Sequence, residues 1–231
     1  MKNNKYEIIN ENKDLYLDIN YEGQSIINIK ESTLNLYLLN VQQIKNTYNI
    51  NISGKSFVNI FMFNSSENKI DKIDIKINGE KSVLNFYLSS ISKNVSNYEL
   101  NIYHNSNNIT SNIFNRILNN GDCKLIVNEY VLKECSGCII DQKSKIINIG
   151  DGTSLIEPNL FVDNMDTIAE HSATIGKFKE DEIFYLNSRG IDYNTAIKLL
   201  IKGFLLNKLF FKNIEVLSEI INKTLEEIYD N

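Results

Sequence analysis

A mainly β fold closed by a short helical tail is what this 231-residue sequence predicts. Three observations carry the prediction. Apolar and charged residues alternate in runs such as "KIDIKI" (Lys72 to Ile77), as a strand with one buried face requires. Comparable runs recur through residues 6–165, each bounded by Asn, Gly, Ser or Asp. After about Gly176 the alternation gives way to a period of 3.6 residues.

The strand-like runs include "SVLNFYLSS", "NYELNIYH", "CKLIVNEYVL" and "SKIINIG". Many short strands with polar turns fit a sandwich, a barrel or a β-solenoid, and periodicity alone leaves parallel and antiparallel pairing open. "INGE" sets Asn78-Gly79 between two of them, the usual signal for a type I′ hairpin. In the tail, "KEDEIFYLNSRG" has acidic residues in its first turn, complementing the helix dipole, and Gly190 at C′. Asp192 then suits the N-cap of "YNTAIKLLIKGFLLNKLFF". One stripe of that helix holds Ala196, Leu199, Leu200, Gly203, Phe204 and Asn207; a second holds Ile197, Ile201, Leu205 and Leu209. A helix apolar on two sides is expected to be covered twice, by the β-body below and a partner above. A last amphipathic helix is expected from about Ile214 to Tyr229, with Leu217, Ile221, Leu225 and Ile228 on one face.

Composition narrows the function classes. The chain is 42% hydrophobic and 23% charged, as in soluble globular proteins. Residues 1–150 carry 16 basic and 15 acidic groups against 8 and 14 in residues 151–231, giving the net charge of −5. Without a basic stripe, nucleic acid and anionic membrane surfaces are poor partners. No apolar run approaches the roughly 20 residues of a membrane span, and "MKNNKYEIIN" lacks the apolar stretch of a signal peptide. A cytoplasmic location is therefore expected, where three cysteines are not a disulfide framework. The abundance of Asn, Ile and Lys reads as the mark of an A/T-biased genome, not as low complexity.

Chemistry-bearing residues are few. Cys135 and Cys138 form one C-x-x-C pair, half of a tetrahedral zinc site, which Cys123 would extend to three thiolates if neighbouring strands brought it close. His104 ends a strand before a polar loop and reads as a solvated or turn-capping side chain. In "TIAEHSATI" alternation puts Ala169, His171 and Ala173 on one face and Glu170 on the other, leaving room beside His171 for a ligand or partner. No nucleophile elbow, phosphate loop or metalloprotease motif is present, so an enzyme is not expected.

The segment from Ile156 to Leu205 resembles the SufB/SufD family of iron–sulfur cluster assembly proteins. The likeness rests on Pro158 and Leu160, Asp163 and Asp166, His171 with Ala173 and Thr174, Phe184-Tyr185-Leu186 with Arg189-Gly190, and Ala196 through Phe204. "HNSNNITS" and "QKSKIINIGDG" extend it upstream to His104. The resemblance implies a right-handed parallel β-helix over residues 1–176 and a small α-helical domain over residues 177–231. It implies a non-enzymatic scaffold that pairs with itself or a SufB-like subunit and docks a SufC-like ABC ATPase. The docking side chains would be Phe184, Tyr185, Arg189, Gly190, Leu200, Gly203 and Phe204. His171 with Glu170 would mark a site for a transient iron–sulfur cluster or for the subunit seam. Ser144 stands about where a SufB scaffold has its cysteine, and Ser172 follows His171 where SufB has Glu and SufD has Gly, so a short SufD-like or undifferentiated member is implied. Two other readings are a β-solenoid adhesion or structural module, and a metal-thiolate redox protein using Cys135 and Cys138.

Overall fold

The computed structural model describes residues 2–19, 22–41, 45–209 and 214–229. In chain order its strands are β1 (Lys2–Ile9), β2 (Asn12–Asp18), β3 (Gly23–Lys30), β4 (Thr33–Asn40), β5 (Lys45–Ser53), β6 (Phe57–Ile77), β7 (Val83–His104), β8 (Thr110–Asn119), β9 (Asp122–Val131), β10 (Cys138–Asn148), β11 (Thr153–Val162) and β12 (Thr167–Gly176). Helices α1 (Glu180–Ser188), α2 (Tyr193–Leu206) and α3 (Ile214–Tyr229) follow.

All strand pairings are parallel, and they build two walls of one solenoid. The first wall stacks β1, β3, β5, the second half of β6, the second half of β7, β9 and β11. The second stacks β2, β4, the first halves of β6 and β7, β8, β10 and β12. The chain alternates between walls, so each coil contributes one strand to each. Register partners lie 21 residues apart at Lys2 and Gly23 and 31 apart at Asp122 and Thr153, so the coils lengthen along the chain. Inward-facing Ile, Leu, Val and Phe from both walls fill the lumen, including Ile50, Ile75, Phe86, Leu100 and Val127.

Because the strands are parallel and in register, each outward side chain sits on the equivalent residue of the next coil. Asparagine exploits this. Asn112 donates to Asn85, Asn85 to Asn59, Asn59 to Asn35 and Asn35 to Asp14, each amide at 2.7–2.8 Å. On the first wall Asn159, Asn128 and Asn101 form a second ladder ending on Asp74. Asn51 and Asn28 form a third that ends on Glu7. Each ladder ends on a carboxylate, which accepts without presenting a donor of its own. The asparagine richness is thus structural at these positions, not codon drift. Rings stack the same way: Tyr16, Tyr37, Phe61, Tyr87 and Phe114 form one column and Tyr103, Tyr130 and Phe161 another, with centroids 4.3–5.4 Å apart.

The expected hairpin at Asn78-Gly79 does not form. Ile77 pairs with His104 and Val83 with Phe57, so the dipeptide turns the chain from one wall to the other. Glycine is needed there because a Cβ on Gly79 would lie 1.7 Å from the Gly54 carbonyl oxygen of the preceding coil. Ser82 donates to that same carbonyl at 2.9 Å. Its Oγ also accepts from the Ser56 amide, as Ser56 Oγ accepts from Ser32, so a serine column satisfies the corner's backbone.

α1 and the start of α2 match the expected boundaries, but α2 stops at Leu206. Asn207 is extended, so Asn207 and Leu209 of the expected stripes lie beyond the helix, and the expected run to Phe211 continues outside the described residues. Asp192 accepts from the Thr195 amide at 3.0 Å as the N-cap of α2, and Gly190 ends α1 at φ +85°. The second stripe of α2 (Ile197, Ile201, Leu205) and the Leu217, Ile221 and Leu225 face of α3 pack on the outside of the second wall, against Tyr37, Phe61, Phe63 and Leu118. Ser89 donates to the Leu205 carbonyl and Ser65 bonds Thr224, which pins the helices to the wall.

Polar bridges cross the lumen in three successive coils: Asn40 to Asn46, Asn64 to Asp71, and Ser90 to Tyr98. In the middle one, fully buried Lys69 pairs with Asp71 at 3.0 Å. Burial pushes the Asp71 carboxyl up to about 6, against the opposing pull of Lys69 and Asn64. The same burial lowers Lys69. Removing one partner leaves a buried charge unpaired, so Asp71→Ala should cost about 3–5 kcal/mol, while Lys69→Met with Asp71→Leu should be near neutral in urea unfolding. The raised carboxyl keeps more protons in the folded chain than in the unfolded one, so its contribution is present below about pH 4 and is lost as pH rises through about 6. Across that window wild-type stability should fall with a steeper slope than that of Asp71→Asn. Asn85→Ala interrupts a ladder on both sides, and should cost about 1–3 kcal/mol in the same measurement.

Candidate functional site

The last coil leaves the solenoid open. Among the described residues β12 pairs only with β10 and β11 only with β9, so the outer edge of each has no strand partner. Register fixes which side chains border the opening. Thr167, Ala169, His171, Ala173 and Ile175 lie over Cys138, Ile140, Gln142, Ser144 and Ile146, all of which face the lumen. His171 therefore stands exposed on the lumen-facing side of the rim, between two alanines and above buried Gln142. Gln142 donates to the Asn159 carbonyl, while its own Oε1 has no partner. Glu170 is in register with Asp141, on the outer face, so Glu170 and His171 do not point at one ligand. β11 contributes Ile156, Leu160 and Val162 to the same rim, partly packed on the core.

A second exposed surface lies on α1 and α2. Phe184 is 74% and Tyr185 58% exposed, and Arg189 lies over the Tyr185 ring at 5.4 Å. Gly190 and Gly203 are exposed and Leu199 is largely so. Half-buried Leu200 lines an open groove with Asp181, Glu182, Tyr185 and Leu186. Phe204 belongs elsewhere. It meets Phe178 edge-on at 6.2 Å, with Arg116 and Lys145 each 5.9 Å from its ring, so it joins the helices to the solenoid.

The cysteines do not converge on one site. Cys123 is the second residue of β9 while Cys135 and Cys138 follow that strand's far end, about 26 Å away at the usual strand rise. Among the described residues no three His, Cys, Asp or Glu side chains are arranged to hold a metal ion. The expectation for His104 also fails. It is fully buried, with Nε2 3.1 Å from Glu129 Oε2 and 3.0 Å from Ser111 Oγ. Ser111 donates to the same carboxylate oxygen at 2.5 Å. Burial works against the charged imidazole, yet hydrogen bonds with Cys138 and Glu129 raise its pKa.

Residues 26–204 match the SufBD core domain of the SUF system for FeS cluster assembly. The chain belongs to the SufBD family. Membership supports a role in iron–sulfur cluster assembly. An iron-sulfur cluster assembly SufBD family protein of Archaeoglobus fulgidus is 33% identical over 94 residues, which are 40% of this chain and 23% of that protein. The iron-sulfur cluster assembly protein SufD of Plasmodium berghei is 24% identical over 211 residues, 88% of this chain and 15% of the relative. A SufBD family protein of Galdieria sulphuraria is 43% identical over 47 residues, 20% of this chain and 21% of that one. The chain thus spans about a quarter or less of these three SufBD relatives.

Within this SufBD fold, the buried His104 group was the site that sequence reading passed over. The signal was present: Tyr98, Leu100, Ile102 and His104 share one phase of β7, and Leu125, Val127, Glu129 and Val131 one phase of β9. No helix among the described residues is long and apolar enough to cross a membrane. The two histidines should respond unequally to truncation. His104→Ala takes the imidazole from buried Glu129, leaving only Ser111 on that carboxylate, and should lower unfolding stability by about 3–5 kcal/mol, whereas exposed His171→Ala should change it by less than about 0.5 kcal/mol.

Proposed function

We propose that the chain is a non-enzymatic scaffold subunit of the SUF machinery. In this reading it pairs with itself or a SufB-like subunit through the open end of the solenoid and docks a SufC-type ABC ATPase on α1 and α2. The uncovered aromatic face of those helices carries the reading, since the opposite stripe of α2 is already occupied by the solenoid wall. Large exposed aromatics beside a groove are what a partner helix or loop needs as anchors.

The open end supports the pairing half. Strand addition across β12 would satisfy its free backbone groups and cover the apolar rim. It would also bring the partner's side chains to His171. With no three-ligand group among the described residues, a cluster assembled at this seam would take His171 as one donor and its other ligands from the partner or from an incoming carrier. The cluster is cargo here, held in passage.

Copurification of the chain with a SUF-type ABC ATPase tests the proposal. Binding is expected, and Phe184→Ala with Tyr185→Ala should weaken it at least tenfold, about 1.4 kcal/mol, at unchanged stability. Absence of binding by the folded wild-type chain would overturn the docking role and favour a purely structural solenoid.

A further inference from the structure

Arginine is scarce in this chain: Arg116 and Arg189 are the only two among its 24 basic residues. Arg189 lies over Tyr185 on the α1 surface. Arg116 belongs to neither surface described above. It sits on the outer face of β8, half-buried against α2. One N–H of its guanidinium donates to the Asn115 carbonyl at 3.0 Å. The other four have no acceptor among the described residues.

The register brings further cations beside it. Lys145 of β10 is the in-register neighbour of Arg116, with backbones about 4.8 Å apart, and Lys143 is that of Phe114. Like charges set opposite one another on adjacent strands repel. The Arg116 and Lys145 head groups each lie 5.9 Å from the Phe204 ring. Lys208 follows α2 in the left-handed region at φ +67°, a conformation lysine seldom adopts, and sets Nζ 3.7 Å over the Phe114 ring. Lys143 lies 5.6 Å from that ring on its own side. Among the described residues only Lys143 of these four has a carboxylate partner, Asp141. The rings attract the cations but cancel none of their charge.

Arg116 and Lys208 also share a cleft, walled in part by Tyr87, Ser89, Phe114 and Asn207. Its enclosed volume of about 10 Å³ admits one oxygen-sized atom. We propose that this cleft binds a phosphate group, one of whose oxygens enters between Arg116 and Lys208 while the rest stays at the mouth. Three cations without a carboxylate call for a ligand carrying more than one negative charge. The free edge of a planar guanidinium fits two oxygens of one oxyanion, which a lysine cannot match. Because only one oxygen is enclosed, orthophosphate and the terminal phosphate of a nucleotide satisfy the same chemistry.

The test is calorimetric titration of the full chain with sodium phosphate and, separately, with ADP, at mildly alkaline pH and matched ionic strength. A single-site isotherm is expected with at least one of them. Saturation by both assigns the site to the phosphate group alone, and saturation by ADP only assigns it to a nucleotide's phosphate. Exposed Lys208→Gln should leave the fold intact and weaken binding about tenfold or more, as should Arg116→Lys, which keeps the charge but loses the fork. Acetate, with one charge, should bind at least about tenfold more weakly than the better ligand. Thermal unfolding gives a second reading. Phosphate salts stabilise proteins generally, so the wild-type Tm should rise with phosphate by more than that of Lys208→Gln. No saturable binding of either compound would overturn the proposal. So would binding that Lys208→Gln and Arg116→Lys leave unchanged, or acetate binding as tight as that of phosphate.

Discussion

Parallel, in-register stacking governs everything else in this molecule. Once coil lies on coil with equivalent residues in contact, each position along a strand becomes a column, and a column tolerates only side chains that accept their own kind as neighbours. Amides do, because each donates to the one below. Flat rings do, because their faces stack. Like charges do not, and the carboxylates that end the asparagine ladders sit at Glu7, Asp14 and Asp74, where a donor amide from the next coil meets them. The logic is that of a cross-β stack folded into one chain, with lateral edges confined to the first and last coils.

The same rule divides labour between the walls. On the second wall the aromatic column becomes a floor for α2 and α3, so the outer apolar surface there is consumed internally. On the first wall the shorter column Tyr103, Tyr130 and Phe161 stays partly exposed, with the charged Asp74, Lys72 and Glu99 near Tyr103. Inside, the lumen is largely apolar, and at a few positions polar side chains from opposite walls reach one another. Asn40 with Asn46, Asn64 with Asp71, Ser90 with Tyr98 and His104 with Ser111 are such places, each joining side chains of the two walls.

Much of this was legible in the sequence. Period-two alternation marked the strands, and the acidic first turn, Gly190 and Asp192 marked α1 and the start of α2 to within a residue, while apolar Leu209 past the extended Asn207 made α2 read longer than it is. What stayed hidden was long-range. Asn78-Gly79 has the local chemistry of a hairpin, and only the pairing of Ile77 with His104 shows that the chain turns a corner instead. The asparagine ladders escaped notice because their spacing drifts from 21 to 31 residues, so no fixed period exposes them. His104 was assigned to solvent because it ends a strand, although its phase with Leu100 and Ile102 pointed inward. At the candidate site, strand alternation correctly separated His171 from Glu170. That the strand is the last of its wall, and hence open, depends on coil count and could not be read locally.

Lengthening coils give the stack something a uniform repeat lacks: addresses. In a solenoid of identical repeats a coil can template any other, and a skipped or exchanged coil leaves no mark. Here Gly79 is shaped to meet the Gly54 carbonyl, and Gly121 to meet that of Asn94, each where a side chain would collide. Skipping a coil would set these glycines under the wrong turns and leave surplus loop residues with nowhere to lie. The growing circumference therefore works as a graduated scale, and the chain can be wound onto itself in one order only.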